Sequence, residues 1–495
     1  KGCLRVKEWM RRKNYAPFAF QEEAWQQIAE GKSGLVNAPT GCGKTYSVFL
    51  GALIRFINEY PLDYHKRKNN GLQLLWLTPL RALAKDIGRA MDEAIAELNI
   101  AWKTGIRNGD TTLGEREKQK RNMPEVLIIT PESLHLLLTQ KNYPEVFASL
   151  QIIAVDEWHE LLGGKRGVQV ELALSRIIAL KNNNSAKGFI SLWGISATIG
   201  NLEEAKDVLL APLQILSAIK NDTVIVKANM DKRTQVFSII PEEIEKYPWA
   251  GHLGIRMAQH IIPIIEKSNT TLVFINTRGM SETWYQTILN IAPHLAGAVA
   301  LHHGSIEQEL RTWVEESLHT QKLKAVVCTA SLDLGVDFRP VDTVIQVGSP
   351  KGVSRFLQRA GRSGHQPGEV SRIYFLPTHS LELVEATALK NAIKQNEIES
   401  REPLVLCFDV LIQYLCTLAI GEGFYADTIF EEIKSTFCFA DITYDEWMQV
   451  LLHLTQGGNA LQQYDDYKKV EEQDGLYRIR NRRIAMRHRM HIGTI

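Results

Sequence analysis

Residues 38–45 read "APTGCGKT" and follow the apolar run "SGLVN". Two glycines in one short turn let backbone N–H groups point inward around an anion. A helix that starts there brings its positive end to the same place. Lys44 is set to reach the β and γ phosphates, and Thr45 to hold magnesium through its hydroxyl. Thr40, Gly41, Cys42 and Gly43 make the wall of the loop. The general phosphate-loop pattern starts with Gly, whereas this chain has Ala38. Cys42 is either an oxidation target or a tolerated filler. A second cluster, "VDEWHE" at 155–160, closes another apolar run. Hydrolysis needs a carboxylate for magnesium and a base that orients water. Asp156 suits the first and Glu157 the second, and neighbours at a strand end point to different sides.

Such residues need rigid elements behind them. Nine short apolar runs, each ending in a polar or Gly-rich loop and followed by a helical stretch, supply these: 33–38, 72–78, 126–130, 151–157, 189–196, 271–277, 324–329, 342–348 and 371–376. Continuous apolar runs alternating with helices predict parallel strands buried on both faces. Nine exceed one ordinary sheet, so the reading is α/β with two lobes joined near 205–225. Beyond about 395 the pattern changes. "PLVLCFDVLIQYLCTLAIGEG" predicts a helix ended by Gly421 and Gly423, and "TYDEWMQVLLHLTQGG" predicts another. A hairpin turning at Asp474–Gly475 follows. Helices followed by a hairpin predict a winged helix. Arg478, Arg480, Arg482, Arg483, Arg487 and Arg489 form a local basic patch, either a phosphate contact or a solvated wing.

Composition narrows the class. In 495 residues, Lys plus Arg is 57 against 56 for Asp plus Glu, so any nucleic-acid surface must be local. Six scattered cysteines without a CxxC pair argue against a zinc site or disulfide framework and fit a reducing cytoplasm. No run of eighteen apolar residues suggests a membrane span. The chain starts at Lys1 and stops in the apolar "HIGTI", so it reads as a piece of a longer protein.

With "DEWH" (156–159) and the phosphate loop, further motifs occur in a telling order: "TPLRALAKD" (78–86), "TPESL" (130–134), "SAT" (196–198), "VFINTR" (273–278), "HHGS" (302–305), "TASLDLGVD" (329–337) and "QRAGRSGH" (358–365). Over residues 15–370 the chain resembles a superfamily 2 helicase of the DExH group. "DEWHELLGGKRGVQVELALSRI" with a winged helix behind narrows the resemblance to the Lhr (large helicase-related) family, in particular its bacterial ligase-associated branch. The resemblance implies two RecA-like lobes at 1–212 and 213–395, a winged helix at 396–482 and, from 483 to 495, the start of a β-rich domain. It implies that Gln21 reads adenine, favouring ATP. Gly335 and Asp337 would touch nucleotide and strand, and Ser196 and Thr198 would couple hydrolysis to lobe movement.

Phosphoryl transfer also needs positive charge at the γ-phosphate. Arg362 is assigned as the finger, with Gln358 and Arg359 in support; His365 stands where many relatives have a second arginine and cannot replace a guanidinium. Arg81, Thr130, Ser133, Arg278 and Thr329 are the expected phosphate contacts of the strand, since arginines and short hydroxyls are common backbone readers. Trp76, Trp158, Trp193 and Trp284 could stack on bases but suit a core better. His302 and His303 lack the companions of a metal site. The expected function is an ATP- and Mg2+-dependent 3′–5′ DNA helicase in repair, acting on single-stranded and duplex DNA, with a nuclease or ligase as partner. An RNA helicase or ribonucleoprotein remodeller, and a nucleotide-gated clamp that does not unwind, are the alternatives.

Overall fold

The computed structural model describes residues 1–39, 41–183, 190–197, 199–213, 223–229, 234–240, 253–333, 341–364, 370–457 and 469–493. The first lobe is a seven-stranded parallel sheet of β1 (Ser33–Asn37), β2 (Leu74–Leu77), β3 (Thr104–Arg107), β4 (Val126–Ile129), β5 (Ile152–Val155), β6 (Ser191–Ser196) and β7 (Thr223–Lys227). Its order is β3-β4-β2-β5-β6-β1-β7. Every residue of "LLWL", "VLII" and "IIAV" is buried, because helices cover both faces. The phosphate-loop helix Lys44–Glu59 packs Phe49, Leu50, Leu53 and Ile57 into one of the two cores.

The second lobe repeats the design with six parallel strands: β8 (Thr234–Ser238), β9 (Thr271–Phe274), β10 (Val299–His302), β11 (Ala325–Cys328), β12 (Thr343–Val347) and β13 (Ser371–Leu376), ordered β10-β11-β9-β12-β13-β8. The nine expected strands are the interior strands of the two sheets. Four more, β3, β7, β8 and β10, lie at the sheet edges. The expected boundary at 212 needs correction, since β7 at Thr223–Lys227 pairs in parallel with β1 and so extends the first lobe.

The third body has helices Phe408–Ile420, Ala426–Lys434 and Tyr444–Gln456 and an antiparallel sheet of β14 (Phe424–Tyr425), β15 (Glu471–Gln473) and β16 (Leu476–Arg478). Asp474 and Gly475 both have positive φ, as the tight turn between β15 and β16 requires. This is a winged helix. Where a β-rich domain was expected to start, the described residues instead form the α-helix Arg482–His491, capped by the Asn481 side chain.

The winged helix shares a hydrophobic core with the first lobe: Leu134, Leu138 and Ile177 pack in one cluster with Leu411, Leu415, Ile429 and Trp447. Polar ties cross the same seam. Arg176 donates to Glu432 at 2.6 Å and to the Tyr143 hydroxyl at 2.8 Å. Glu171 accepts the Cys438 N–H at 3.0 Å, and Arg489 reaches Thr139. Burial pushes Glu171 up to about 8 and, against the pull of Arg176, Glu432 up to about 7.

Candidate functional site

The C-terminal ends of β1, β5 and β6 are adjacent, and this is where an open parallel sheet offers a crevice. β1 leads into the phosphate loop. Gly41 and Gly43 have φ of 84° and 69°, and Lys44 is the first residue of its helix. The positive φ at Gly43 favours glycine, and a side chain there would also displace the Gln21 amide nitrogen, 2.9 Å away. Cys42 is buried and Thr45 half-buried, while Thr40 lies outside the described residues.

β5 leads into Asp156 and Glu157. Glu157 has φ of 47°, an unusual conformation for a non-glycine residue that turns its carboxylate toward Lys44 at 3.4 Å. Burial and then the neighbouring Glu157 charge push Asp156 up to about 7. Burial also works against ionisation of Glu157, but Lys44 first, then His159 and Arg362, outweigh it and hold that carboxyl low. The two adjacent acids are thus pushed apart: Glu157 is held charged beside the lysine, and Asp156 is held toward its protonated form.

β6 ends in Ser196. Its backbone carbonyl accepts the Ala38 N–H at 3.1 Å, and Asn37 donates to the Ala197 carbonyl at 2.7 Å. Ala197 N–H donates to His159 Nδ1 at 3.2 Å, and burial lowers His159 to about 4, leaving it neutral. An acceptor at Nδ1 puts the proton of the neutral ring on Nε2. The phosphate loop, acid box and "SAT" segment are therefore one hydrogen-bonded unit. Sequence reasoning assigned no role to His159, although its place in "DEWH" was the signal. Thr198 lies outside the described residues.

Gln21 is fully engaged in this structure: it donates to the Gly43 carbonyl at 2.9 Å and accepts from Phe18 N–H at 2.9 Å. It sits against the phosphate loop.

From the second lobe come Gln358 and Arg359, on helix Val353–Ala360, and Arg362 just beyond it. Arg359 is buried and fully occupied within the second lobe. It forms a bidentate pair with Asp333 at 2.7 and 3.0 Å, donates to Gln346 at 2.6 Å and lies over the Phe274 ring. Arg362 donates to the Asp333 carbonyl at 2.9 Å and is near enough to Glu157 to favour its ionised form. The Gln358 amide nitrogen is buried without a hydrogen-bond partner among the described residues. Gly335, Asp337 and His365 lie outside the described residues.

The expected strand contacts fall on other parts of the same edges. Arg81 follows β2, Thr130 and Ser133 follow β4, Arg278 follows β9, and Thr329 follows β11. β2 and β4 are neighbours in one sheet and β9 and β11 in the other, so each lobe gathers its candidates on one side. Arg81 is exposed and steadied by Asp110 at 3.0 Å; Arg278 is exposed and bonds Ser305. Thr130 and Ser133 are buried, with their hydroxyls 3.2 Å apart. Trp76, Trp158, Trp193 and Trp284 are fully buried, so none offers a face to a base. His302 contacts Ser331 and Glu315, and His303 lies 3.2 Å from Glu282.

Residues 18–206 match the model of DEAD/DEAH box helicases, 255–366 that of the helicase conserved C-terminal domain, and 391–495 that of the winged helix domain of large helicase-related protein. Over 99% of its length the chain is 32% identical to the ATP-dependent helicase Lhr-Core of Methanocaldococcus jannaschii. The chain belongs to the large helicase-related (Lhr) family. It spans 57% of that archaeal relative. It is 31% identical over 88% of its length to the Lhr helicase/uracil glycosylase of Escherichia coli, of which it spans 31%. The Mycobacterium smegmatis helicase Lhr, solved bound to single-stranded DNA and AMP-PNP, superposes with a TM-score of 0.84. That match covers 99% of this chain and 61% of the other at 29% identity. The DNA-bound helicase MrfA, at 20% identity and a TM-score of 0.73, shares the fold. As in its Lhr relatives, two lobes and a winged helix follow one another along the chain.

Proposed function

We propose that this Lhr chain is an ATP-hydrolysing motor that moves 3′ to 5′ on single-stranded DNA and opens duplexes in DNA repair, as part of the ligase-associated branch. The observation that carries the reading is the Lys44–Glu157 pair of one lobe, 3.4 Å apart, lying within electrostatic reach of Arg362 from the other. ATP between them would be gripped from both sides, which makes the lobe interface responsive to the γ-phosphate. DNA rather than RNA is favoured because one Lhr relative, the Mycobacterium smegmatis helicase, was solved bound to single-stranded DNA.

In this reading the glycine-lined loop and Lys44 hold the phosphates, and Gln21 moves between its bond to Gly43 and an adenine edge. Glu157, kept ionised, takes a proton from the attacking water, and Arg362 meets the charge that gathers on the γ-phosphate. The buried Asp156 carboxyl, raised by burial, and the Thr45 hydroxyl fit a magnesium ion, a hard cation that prefers oxygen donors and keeps few protein ligands. Bound there, the ion would supply charge neutralisation of the phosphates. Loss of the γ-phosphate frees Arg362. The bonds from Ala38 to Ser196 and from Ala197 to His159 then carry the change to the loop after β6. Arg81 and Arg278, one on each lobe, hold the DNA backbone, with Thr130, Ser133 and Thr329 at its flanks.

The test is steady-state ATP hydrolysis with magnesium, with and without single-stranded DNA or RNA. DNA is expected to stimulate more than RNA, and Glu157→Gln to lose at least about 100-fold. Equal or greater stimulation by RNA refutes the DNA assignment, and absence of hydrolysis refutes the motor.

A further inference from the structure

Residues 398–401, between the second lobe and the winged helix, touch both halves of the nucleotide crevice. The Glu399 carboxylate accepts the N–H groups of Val353 at 3.0 Å and of Ser354 at 3.0 and 3.1 Å. These are the first amides of the helix that carries Gln358 and Arg359, where an anion is favoured. Arg362 is bound to the end of that helix through its N–H to the Arg359 carbonyl at 2.9 Å. The same short segment is tied to the first lobe. Gly200 N–H donates to the Glu399 carbonyl at 3.2 Å. Asn201 exchanges two 2.9 Å hydrogen bonds with the Arg401 backbone. The fit is close on both sides. A Cβ on Gly200 would meet the Ile398 carbonyl at 2.4 Å, and one on Gly352 would meet the Glu399 carboxylate at 2.3 Å.

Gly200 and Asn201 follow the "SAT" segment after Ile199 alone, and the Ala197 N–H of that segment donates to His159 of the acid box. We propose that residues 398–401 form a strap that fixes the arginine helix relative to the loop after "SAT", and that Glu399 and Asn201 are positioning residues for Arg362. The strap gives the first lobe a route to the finger that does not pass through the nucleotide. Its catalytic consequence rests on the ATP-hydrolysis reading above; its mechanical part does not.

Two measurements separate these. By hydrogen exchange on the full chain, Glu399→Ala is expected to speed exchange at Val353 and Ser354 and also at Gly200, while helix Ser380–Gln395 keeps its protection. Unchanged exchange at Gly200 overturns the strap, whatever the enzyme does. In DNA-stimulated ATP hydrolysis, Glu399→Ala and Asn201→Ala are each expected to lower kcat by about 10- to 100-fold, the scale of a misplaced catalytic group. The dissociation constant of a fluorescent ATP analogue should stay within about twofold, and Glu399→Gln, which keeps one acceptor oxygen, should retain intermediate activity. The double variant should be no slower than the worse single one, because both cut the same link. Multiplying effects, or a normal kcat in Glu399→Ala, overturn the positioning role. A wild-type chain that hydrolyses no ATP removes the function reading and leaves the exchange result to decide the strap.

Discussion

Arg359→Ala should act on stability before it acts on chemistry. Its guanidinium and the Asp333 carboxylate are both buried, 2% and 6% exposed at the side chain, and joined by two short charge-assisted bonds. Cutting a buried pair on one side leaves the other charge without its partner, which costs about 3–5 kcal/mol. Arg355, 3.6 Å from Asp333, is a partial substitute, so the lower end, about 3 kcal/mol, is the expected loss. For a lobe of this size each kcal/mol moves the midpoint by about 2–4 °C, so the lowest calorimetric transition should fall by about 6–12 °C. Asp333→Ala with Arg359→Met should recover part of it, because no lone charge remains. Arg362→Ala should show the reverse balance, with kcat falling about 1000-fold or more, as expected for an arginine finger. An Arg359→Ala chain that melts within about 2 °C of wild type, yet is catalytically dead, refutes the division and makes Arg359 a second finger.

The other predictions concern the outer surfaces and the winged-helix seam. Arg81→Ala should weaken single-stranded DNA binding across all sequences and reduce the slope of log affinity against log salt by about one contact, read by fluorescence anisotropy at several salt concentrations. Trp76→Phe should leave that affinity unchanged, because its ring is fully buried. Glu171 is raised in the folded chain to about 8, so its proton stabilises the folded state and that contribution fades as pH rises from about 4.5 through 8. Calorimetric stability should fall across that window by at most about 1.4 kcal/mol per pH unit from this group, and Glu171→Gln should flatten the profile.

Which strands could be read from the sequence depended on where they lie. Interior strands are covered on both faces, so "LLWL" and "AVVC" read as unbroken apolar runs. Two of the edge strands are polar or interrupted: β8 is "TQVFS", with every residue at least partly exposed, and β3 is "TGIR". The other two, β7 "TVIVK" and β10 "VALH", hold only three apolar residues each, too short a run to stand out. The phosphate loop and acid box were legible because phosphate chemistry demands glycine, lysine and adjacent carboxylates in short spans. The locking of Arg359 was not, since its partner Asp333 lies 26 residues away and only packing brings the pair together. His159 carries no signal of its own for the Ala197 amide, which is 38 residues downstream. The final helix was legible in part, since its methionines and arginines are good helix formers and the Asn481 cap stands just before it.

The shared core between the first lobe and the winged helix has a consequence for how such a machine can step. Leu134, Ile177, Leu411 and Trp447 belong to one packed interior, and separating them would expose apolar surface on every cycle. The first lobe and the winged helix therefore make one rigid body, to which residues 398–401 tie the second lobe. On the proposed reading, a strand touching Arg81 and the arginines of the wing would meet one rigid surface, with Arg278 on the other body.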